Sequence, residues 1–198
     1  MNARIRRFCL TLLGSLALGL GALSAAQAAE DVSEPMLLVA KPELGEFYRS
    51  TVLLAVPARN GHHIGLIINR PTPMTLSRLF PDHAPSKAVT DPVFLGGPNH
   101  VNSIFAVVHR DNSPGGHSIP LLDDLFLAVD VDIVDTIIEK QPQDARFFAG
   151  LVVWDAGELE AELKRGFWYV LQPDSDLVLR KSTQGMWEEL SRRSANAL

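Results

Sequence analysis

The feature that most constrains the fold is a series of short apolar runs separated by turn residues, beginning soon after the N-terminal segment. Two of these runs, residues 51–58 and 62–69, flank the tripeptide Arg59-Asn60-Gly61. Asn-Gly tolerates the positive φ angles of a tight turn, so this arrangement predicts two strands joined as a β-hairpin. The first part of the domain is therefore expected to be β-structure with local strand pairing.

The rest of the chain contains further apolar runs of strand length and segments with apolar spacing typical of helices. Besides the hairpin arms, predicted strands cover residues 36–40, 91–98, 103–109, 125–129, 146–154, 167–171 and 176–179. Predicted helices cover residues 75–80, 131–140, 156–165 and 183–193, and residues 82–90 are predicted to be a loop. Asp130 is the expected N-cap of the second helix, and Asp155 with Glu158 has capping-box spacing for the third. Strands outnumber helices without regular alternation, which predicts an α+β fold in a single domain.

The N-terminal segment has the composition of a secretory signal peptide. Arg4, Arg6 and Arg7 precede an apolar stretch over residues 8–25, and Ala26-Gln27-Ala28 follows as a small-residue cleavage site. This order predicts cleavage after Ala28 and a periplasmic or secreted protein. The alternative is an inner-membrane anchor formed by residues 8–25, a stretch at the lower limit of what spans a bilayer. The predicted organisation is a signal peptide (1–28), a short acidic leader (29–35) and one domain (36–198).

Charge and cysteine content narrow the classes of partner. The chain has 18 basic and 23 acidic residues, and removing the three arginines of the signal leaves 15 basic and 23 acidic residues, a net charge of −8. Such a surface repels nucleic acid and anionic lipid, so no nucleic-acid partner is expected if the protein is exported, and the membrane is expected to be contacted only transiently, through the signal peptide. Cys9 is the only cysteine, and the exported domain would therefore contain no disulfide.

The sequence contains no recognisable catalytic or metal-binding motif. The six histidines are His62, His63, His83, His100, His109 and His117. Adjacent histidines on a strand point to opposite faces, so His62 and His63 are not expected to share a metal ion. A G-x-S-x-G elbow and zinc-type ligand spacings are missing, which predicts no catalytic residues, no metal and no cofactor. The alternative is a small hydrolase or metal-dependent enzyme that uses His62, His63, His100 or His117.

Two loops at strand ends are the candidate binding residues. They are Asn69-Arg70-Pro71 and Gly96-Gly97-Pro98, which would lie side by side if their strands are neighbours. Arg70 is suited to bidentate binding of a carboxylate or phosphate. In the structural alternative, Asn69 satisfies backbone groups at the turn, Arg70 is a surface charge, and the glycines allow a tight backbone turn.

Several segments, taken in order, resemble the YqgE/AlgH family. They are residues 38–42 (LVAKP), 47–52 (FYRSTV), 65–71 (GLIINRP) and 92–98 (PVFLGGP), followed by Gly150, Trp154, residues 157–160 (GELE), 162–163 (EL), Trp168 and Trp187. The likeness extends over nearly the whole chain after the predicted signal. The chain differs from the family pattern at Lys41, at Glu158 and at Asn99-His100-Val101.

The resemblance implies an α+β domain whose mostly antiparallel, branched sheet curls into a pseudo-barrel with a few flanking helices. It implies no enzyme activity, because members are described as uncharacterised proteins or proposed transcriptional regulators of alginate synthesis. An exported protein does not reach the chromosome. We therefore predict a non-enzymatic binding or regulatory module that engages an unknown protein or small molecule. A transcriptional regulator retained in the cytosol is the alternative.

Overall fold

A computed structural model describes residues 32–45 and 47–196 of the chain. The predicted signal peptide and its cleavage site, residues 1–28, lie outside the described residues. Within the described part, no helix is both long and apolar enough to cross a bilayer. Val32, in the predicted leader, packs against the first strands of the domain.

The described part of the chain contains ten strands in one sheet. They are β1 (Met36–Ala40), β2 (Val52–Pro57), β3 (His63–Ile67), β4 (Pro71–Thr75), β5 (Pro92–Leu95), β6 (Asn99–His109), β7 (Ile119–Leu122), β8 (Leu125–Ala128), β9 (Ala145–Trp154) and β10 (Trp168–Leu171). Five α-helices accompany them: α1 (Leu76–Leu79), α2 (Val131–Lys140), α3 (Glu158–Lys164), α4 (Ser175–Leu179) and α5 (Met186–Ala195). Short 3-10 helices cover Arg59–Gly61, Ala84–Ala88 and Pro142–Asp144.

The sheet branches at β9, as the family resemblance predicts. Its main path runs β10-β1-β2-β3-β9-β6-β8-β7. On one side β9 pairs with β6, and on the other it pairs with β3 and also with β5, which carries β4. All pairings are antiparallel except that between β5 and β9. The α+β class with a mostly antiparallel, branched sheet is therefore confirmed.

The sheet curls into a half-barrel because strands from both ends of its path share one core. Leu37 of β1 and Leu127 of β8 belong to the same buried cluster, which α4 and α5 cover through Val178 and Leu190. The outer face of the first strands packs against Leu159 of α3. A third cluster joins the outer face of β6, β8 and β9 to the buried side of α2. The sheet thus has one buried apolar cluster on its inner face and two on its outer face.

Several predicted elements are confirmed closely. β2 and β3 pair as a hairpin with Pro57 opposite His63, and Asn60 and Gly61 have φ angles of 58° and 75° in the connection. Helix α2 spans Val131–Lys140, and the Asp130 carboxylate accepts a hydrogen bond from the Asp132 amide. The third helix ends at Lys164, one residue before its predicted limit, and Gly166 follows with φ of 72°.

The strand predicted over residues 176–179 is wrong, because this segment forms helix α4. The Asp174 side chain accepts a hydrogen bond from the Leu177 amide at 2.9 Å and caps the helix. Leu177 and Val178 are both buried. A short apolar run fits a strand or a buried helical turn equally well, and here the cap decides for the helix.

The predicted start of the third helix also needs correction. Helix α3 begins at Glu158 after Gly157, which has φ of 85°, and not at residue 156. Half of the predicted capping box forms, since the Glu158 carboxylate accepts the Asp155 amide at 2.8 Å. The Asp155 carboxylate lies instead 3.4 Å from Nδ1 of His62.

Several elements are absent from the sequence prediction, among them the 3-10 helix Pro142–Asp144. Strand β4 continues directly after Asn69 and Arg70, and its two prolines are accommodated because it is an edge strand paired only with β5. Strand β7, which contains Pro120, ends the sheet path. The segment predicted as a loop over residues 82–90 contains the 3-10 helix Ala84–Ala88.

Candidate functional site

The two loops predicted as binding residues lie side by side. The Leu95 amide donates to the Arg70 carbonyl at 2.9 Å, and the Ile67 amide donates to the Gly96 carbonyl at 2.8 Å. The ends of β3 and β5 are therefore direct neighbours. Pro71 and Pro98 are exposed. This adjacency was the condition on which the sequence prediction depended.

The Asn69 side chain is fully engaged with the backbone of the β1–β2 connection. Its Oδ1 accepts from the Val52 amide at 2.8 Å, and its Nδ2 donates to the Ser50 carbonyl at 2.9 Å. Ser50 has φ of 56°, a left-handed conformation unusual for serine. Asn69 thus holds this connection against the end of β3.

Arg70 forms a stacked pair with Phe47. Its Nη2 donates to the Phe47 carbonyl at 2.7 Å, and its guanidinium carbon lies 5.1 Å from the centre of the Phe47 ring. The Phe47 ring packs edge-on against Tyr48, which in turn contacts Trp168. Partial burial lowers the pKa of Arg70 from its ordinary value. Phe47 remains 40% exposed, so this Phe47–Arg70 pair presents an aromatic ring and a cation on a supported surface.

Gly96 and Gly97 are required by a close crossing of backbones. A Cβ at Gly97 would overlap the carbonyl carbon of Leu151, and a Cβ at Gly96 would overlap the Gly150 carbonyl oxygen. Gly150 itself has φ of 72°, and a Cβ there would lie 2.5 Å from the Gly97 carbonyl oxygen. Both Gly96 and Gly97 are buried. Their lack of side chains is explained by packing between β5, β6 and β9.

Beyond this crossing, β6 begins with an exposed irregular segment. Asn99 pairs with Leu151 and Ile104 with Ala149, so the intervening residues bulge out of the ladder. His100 has φ of 55°, and Val101 is 48% exposed. The bulge follows Pro98 directly and extends the candidate surface.

The side chains of His62, which precedes β3, and His63, which begins it, do not converge on one point. The His63 ring is buried, with its Nε2 2.8 Å from the Val32 carbonyl oxygen. The His62 side chain is 44% exposed and lies against Asp155. These two side chains therefore contact different partners. His100 lies in the exposed bulge of β6, and His117 is exposed in the turn before β7.

A serine, an aspartate and a histidine meet elsewhere, at the end of the β7–β8 turn. The Ser175 hydroxyl donates to one carboxylate oxygen of Asp124, and the other oxygen lies 3.0 Å from Nε2 of His109. The Ser175 hydrogen bond is the main cause that lowers the pKa of Asp124. The aspartate stands between serine and histidine, so the imidazole is not placed to accept the serine proton. This arrangement is a hydrogen-bonded link and not a nucleophile–base pair.

Arg146 is a buried cation that the sequence prediction treats only as the start of a strand. It is 2% exposed and lies over the Phe94 ring, with 3.9 Å between the guanidinium carbon and the ring centre. Its two terminal nitrogens donate to the carbonyls of Val178 and, at 2.6 Å, Ile68. Burial lowers its pKa to about 9. Arg146 therefore joins α4 to the end of β3 across the inside of the half-barrel.

Relatives of this chain occur in several bacteria. A UPF0301 protein of Streptomyces avermitilis is 34% identical over 171 residues, which cover 82% of this chain and 86% of the relative. A UPF0301 protein of Myxococcus xanthus is 33% identical over 164 residues, covering 80% and 88% respectively.

Solved structures share the fold. The solution structure of the AlgH protein from Pseudomonas aeruginosa matches with a TM-score of 0.67 at 24% identity, covering 83% of this chain and 87% of that one. A crystal structure of a Corynebacterium diphtheriae protein matches with a TM-score of 0.64 at 21% identity, covering 81% and 86%. The family model described as DUF179, AlgH-like, matches residues 37–197. The chain therefore belongs to the AlgH-like family.

Proposed function

We propose that this protein is a non-enzymatic binding module that acts after export and engages a protein partner through the Phe47–Arg70 pair. The partner would present an apolar side chain to the Phe47 ring and a carboxylate to the Arg70 guanidinium. Aromatic residues and arginine are the types most often responsible for binding energy in interfaces. Because the surface of the chain is acidic overall, a carboxylate of a partner would be attracted only to a place where a cation such as Arg70 is accessible.

The proposal is based on one observation: the Phe47 ring is exposed, and both side chains of the pair are held in place by their neighbours. Phe47 and Arg70 are held by a backbone hydrogen bond and by stacking, and Tyr48 supports the ring from one side. Asn69 fixes the adjacent connection. A side chain that is already ordered loses less conformational entropy when it binds, so a preformed exposed pair favours recognition.

Two observations favour binding over catalysis and export over DNA regulation. In the Ser175–Asp124–His109 link the carboxylate separates the hydroxyl from the imidazole, which leaves no activated nucleophile there. The basic, then apolar, then small-residue order of residues 1–28, which precede the family match at 37–197, is the support for export over DNA regulation.

The partner experiment compares two phenylalanines of equal exposure. Phe47 and Phe80 are each 40% exposed, and only Phe47 stacks with an arginine. Cells would produce the wild type, Phe47→Ser, Phe80→Ser or Arg70→Ala. Proteins cross-linked to each of them would then be captured and quantified by mass spectrometry. We expect a protein captured by the wild type and by Phe80→Ser to be lost with Phe47→Ser and with Arg70→Ala. Equal capture by all four proteins would contradict the proposal.

Location and enzyme activity are tested separately. An alkaline phosphatase fused after Leu198 should be active in cells, and the mature chain should begin at Ala29. An inactive fusion would favour cytosolic retention and the regulator alternative. A panel of esterase and phosphatase substrates should give no turnover, and turnover that disappears in a Ser175→Ala variant would replace the binding proposal with a hydrolase.

A further inference from the structure

We propose that His83, Asp135 and Glu139 form a binding site for a divalent transition-metal cation, with Zn²⁺ as the best-matched ion. One potential ligand atom from each side chain lies within 4.8 Å of the others. Asp135 and Glu139 are four residues apart on α2 and project from the same face. His83 directly precedes the 3-10 helix Ala84–Ala88, which packs against α2. Three donors thus converge from two elements, at a site that shares no residue with the Phe47–Arg70 pair.

The separation of the first two donors already suits a shared ion. Nε2 of His83 lies 3.1 Å from Oδ1 of Asp135. Two atoms bound to one Zn²⁺ at about 2.0–2.1 Å in tetrahedral geometry lie about 3.3 Å apart. The Glu139 side chain is exposed, so a change of side-chain rotamer can bring its carboxylate to the third position.

A second contact orients the imidazole. Nδ1 of His83 lies 2.7 Å from the hydroxyl oxygen of Ser86, a fully buried residue. When Nδ1–H donates to this oxygen, Nε2 directs its lone pair towards Asp135. In this tautomer a metal ion can bind between Nε2 and the Asp135 oxygen, which lie 3.1 Å apart, whereas in the other tautomer Nε2–H donates to the carboxylate. Metal-binding histidines are commonly held in this way through the other ring nitrogen.

The donor set decides the class of ion. One imidazole nitrogen with two carboxylates suits Zn²⁺ and its first-row neighbours, whereas Mg²⁺ and Ca²⁺ prefer sites made only of oxygen. Three protein donors leave a fourth position for water or for an added ligand. Because the donors come from the segment before β5 and from α2, a bound ion would tie these two elements together.

The test is calorimetric titration of the untagged, full-chain gene product with ZnCl₂, after treatment with a chelator. We expect one Zn²⁺ per chain, and a rise in the midpoint of thermal unfolding when Zn²⁺ is added. His83→Gln and Glu139→Gln should each weaken binding by at least roughly tenfold, as should Ser86→Ala, which removes the orienting contact. His117→Gln and Glu188→Gln replace an exposed histidine and an exposed helical glutamate outside the cluster, and should bind like the wild type.

The Zn²⁺ affinity of the cluster variants, compared with that of the control variants, decides whether the site exists. Loss of binding confined to the cluster variants, with unfolding midpoints of the metal-free proteins unchanged, supports the site. No binding by the wild type, or equal affinity in cluster and control variants, overturns it. Binding of MgCl₂ as tight as that of ZnCl₂ would overturn the assignment of the ion class.

Discussion

Asn69 illustrates how one amide can organise a connection between strands. It supplies an acceptor to Val52 and a donor to Ser50, both on the backbone. We expect Asn69→Ala to lower the free energy of unfolding by about 2 kcal/mol, since it leaves two backbone groups without their partner. The measurement is urea unfolding, with the exposed Asn102→Ala as the matched control, which should change stability by less than about 0.5 kcal/mol. An equal effect of the two substitutions would contradict this role.

Arg146 gives a second prediction, because its two terminal nitrogens donate to two carbonyls on separate elements, those of Val178 and Ile68. Its folded pKa of about 9 lies below the ordinary value of an arginine, so the native state binds this proton less tightly than the unfolded chain does. The buried charge therefore opposes folding at neutral pH, and this cost falls as the pH rises above about 9.

We accordingly expect Arg146→Lys to be less stable than Arg146→Met in urea unfolding at neutral pH. Lysine keeps the buried charge, desolvates it at greater cost and loses the bridge, whereas methionine removes the charge and retains much of the packing on Phe94. A lysine variant as stable as the wild type would show that the paired donors are unimportant.

At this scale the sequence predicts what depends on neighbours along the chain. The positive φ angles at Asn60 and Gly61 and the cap at Asp130 follow from local rules. The partners of Arg146 do not, because the Ile68 carbonyl is 78 positions away. The approach of His83 to α2 likewise depends on tertiary packing. The only sequence signal for that cluster is the i, i+4 spacing of Asp135 and Glu139, which solvated helix faces also show.

The glycines at and near the crossing of β5, β6 and β9 allow two effects of an added side chain to be measured separately. One is the steric overlap of its Cβ with neighbouring backbone, and the other is the strain of a positive φ angle. Gly150 has both a positive φ and a blocked Cβ position, Gly97 has only the blocked position, Gly157 only the positive φ, and Gly45 neither. We expect alanine to cost about 1–2 kcal/mol at Gly157, from the left-handed backbone alone. The cost at Gly97 should be larger because backbone must move, and Gly150 should be the most sensitive of the four.

Chemical unfolding of these four alanine variants is the measurement. Gly45→Ala is the baseline and should leave stability within about 0.5 kcal/mol of the wild type. If Gly97→Ala behaves like Gly45→Ala, the close approach of the strands is not required for folding.

The sequence predicts the ends of a helix or strand where a capping residue or a turn marks them. The boundaries of α2 and the β2–β3 hairpin follow from Asp130 and from Asn60-Gly61. Strand β4 was missed because proline at positions 71 and 73 argues against a strand unless it lies at an edge, and edge position is a property of the assembled sheet. Helix α4 was mistaken for a strand because its apolar run is too short to show a helical period.

Closure of the half-barrel gives a prediction for the whole molecule. Asp124 follows β7, at one end of the sheet path, and Ser175 follows β10, at the other end. The pKa of Asp124 is lowered, chiefly by the hydrogen bond from Ser175. A carboxylate with a lowered folded pKa stabilises the native state above its unfolded pKa, and this contribution is lost as the pH falls through the folded value.

We therefore expect Ser175→Ala to be less stable than the wild type at pH 7, with the gap narrowing as the pH falls below about 4. Urea unfolding at several pH values measures it, and the exposed Ser103→Ala is the control. A gap that stays constant down to pH 2 would mean that the Ser175 contribution does not depend on the charge of Asp124.

The overall class was predictable from strand-length runs, and the branched, curled sheet came only from the family resemblance. Nothing local to β9 indicates that it pairs with three other strands, because its apolar run would also suit an ordinary central strand. The curl arises from burial shared between β1 and β8, which lie far apart in the chain.

The central position of β9 also bears on how the chain can mature during synthesis. β3 and β6 each border on β9, yet both are made well before residues 145–154 leave the ribosome. Until then the edges of β3, β5 and β6 that pair with β9 are unpaired, and such edges are templates for faulty association. We expect prefixes ending before Ala145 to need a chaperone to remain unaggregated. A chain that cannot complete its sheet until late in synthesis therefore keeps these strand edges exposed for most of the time it is being made.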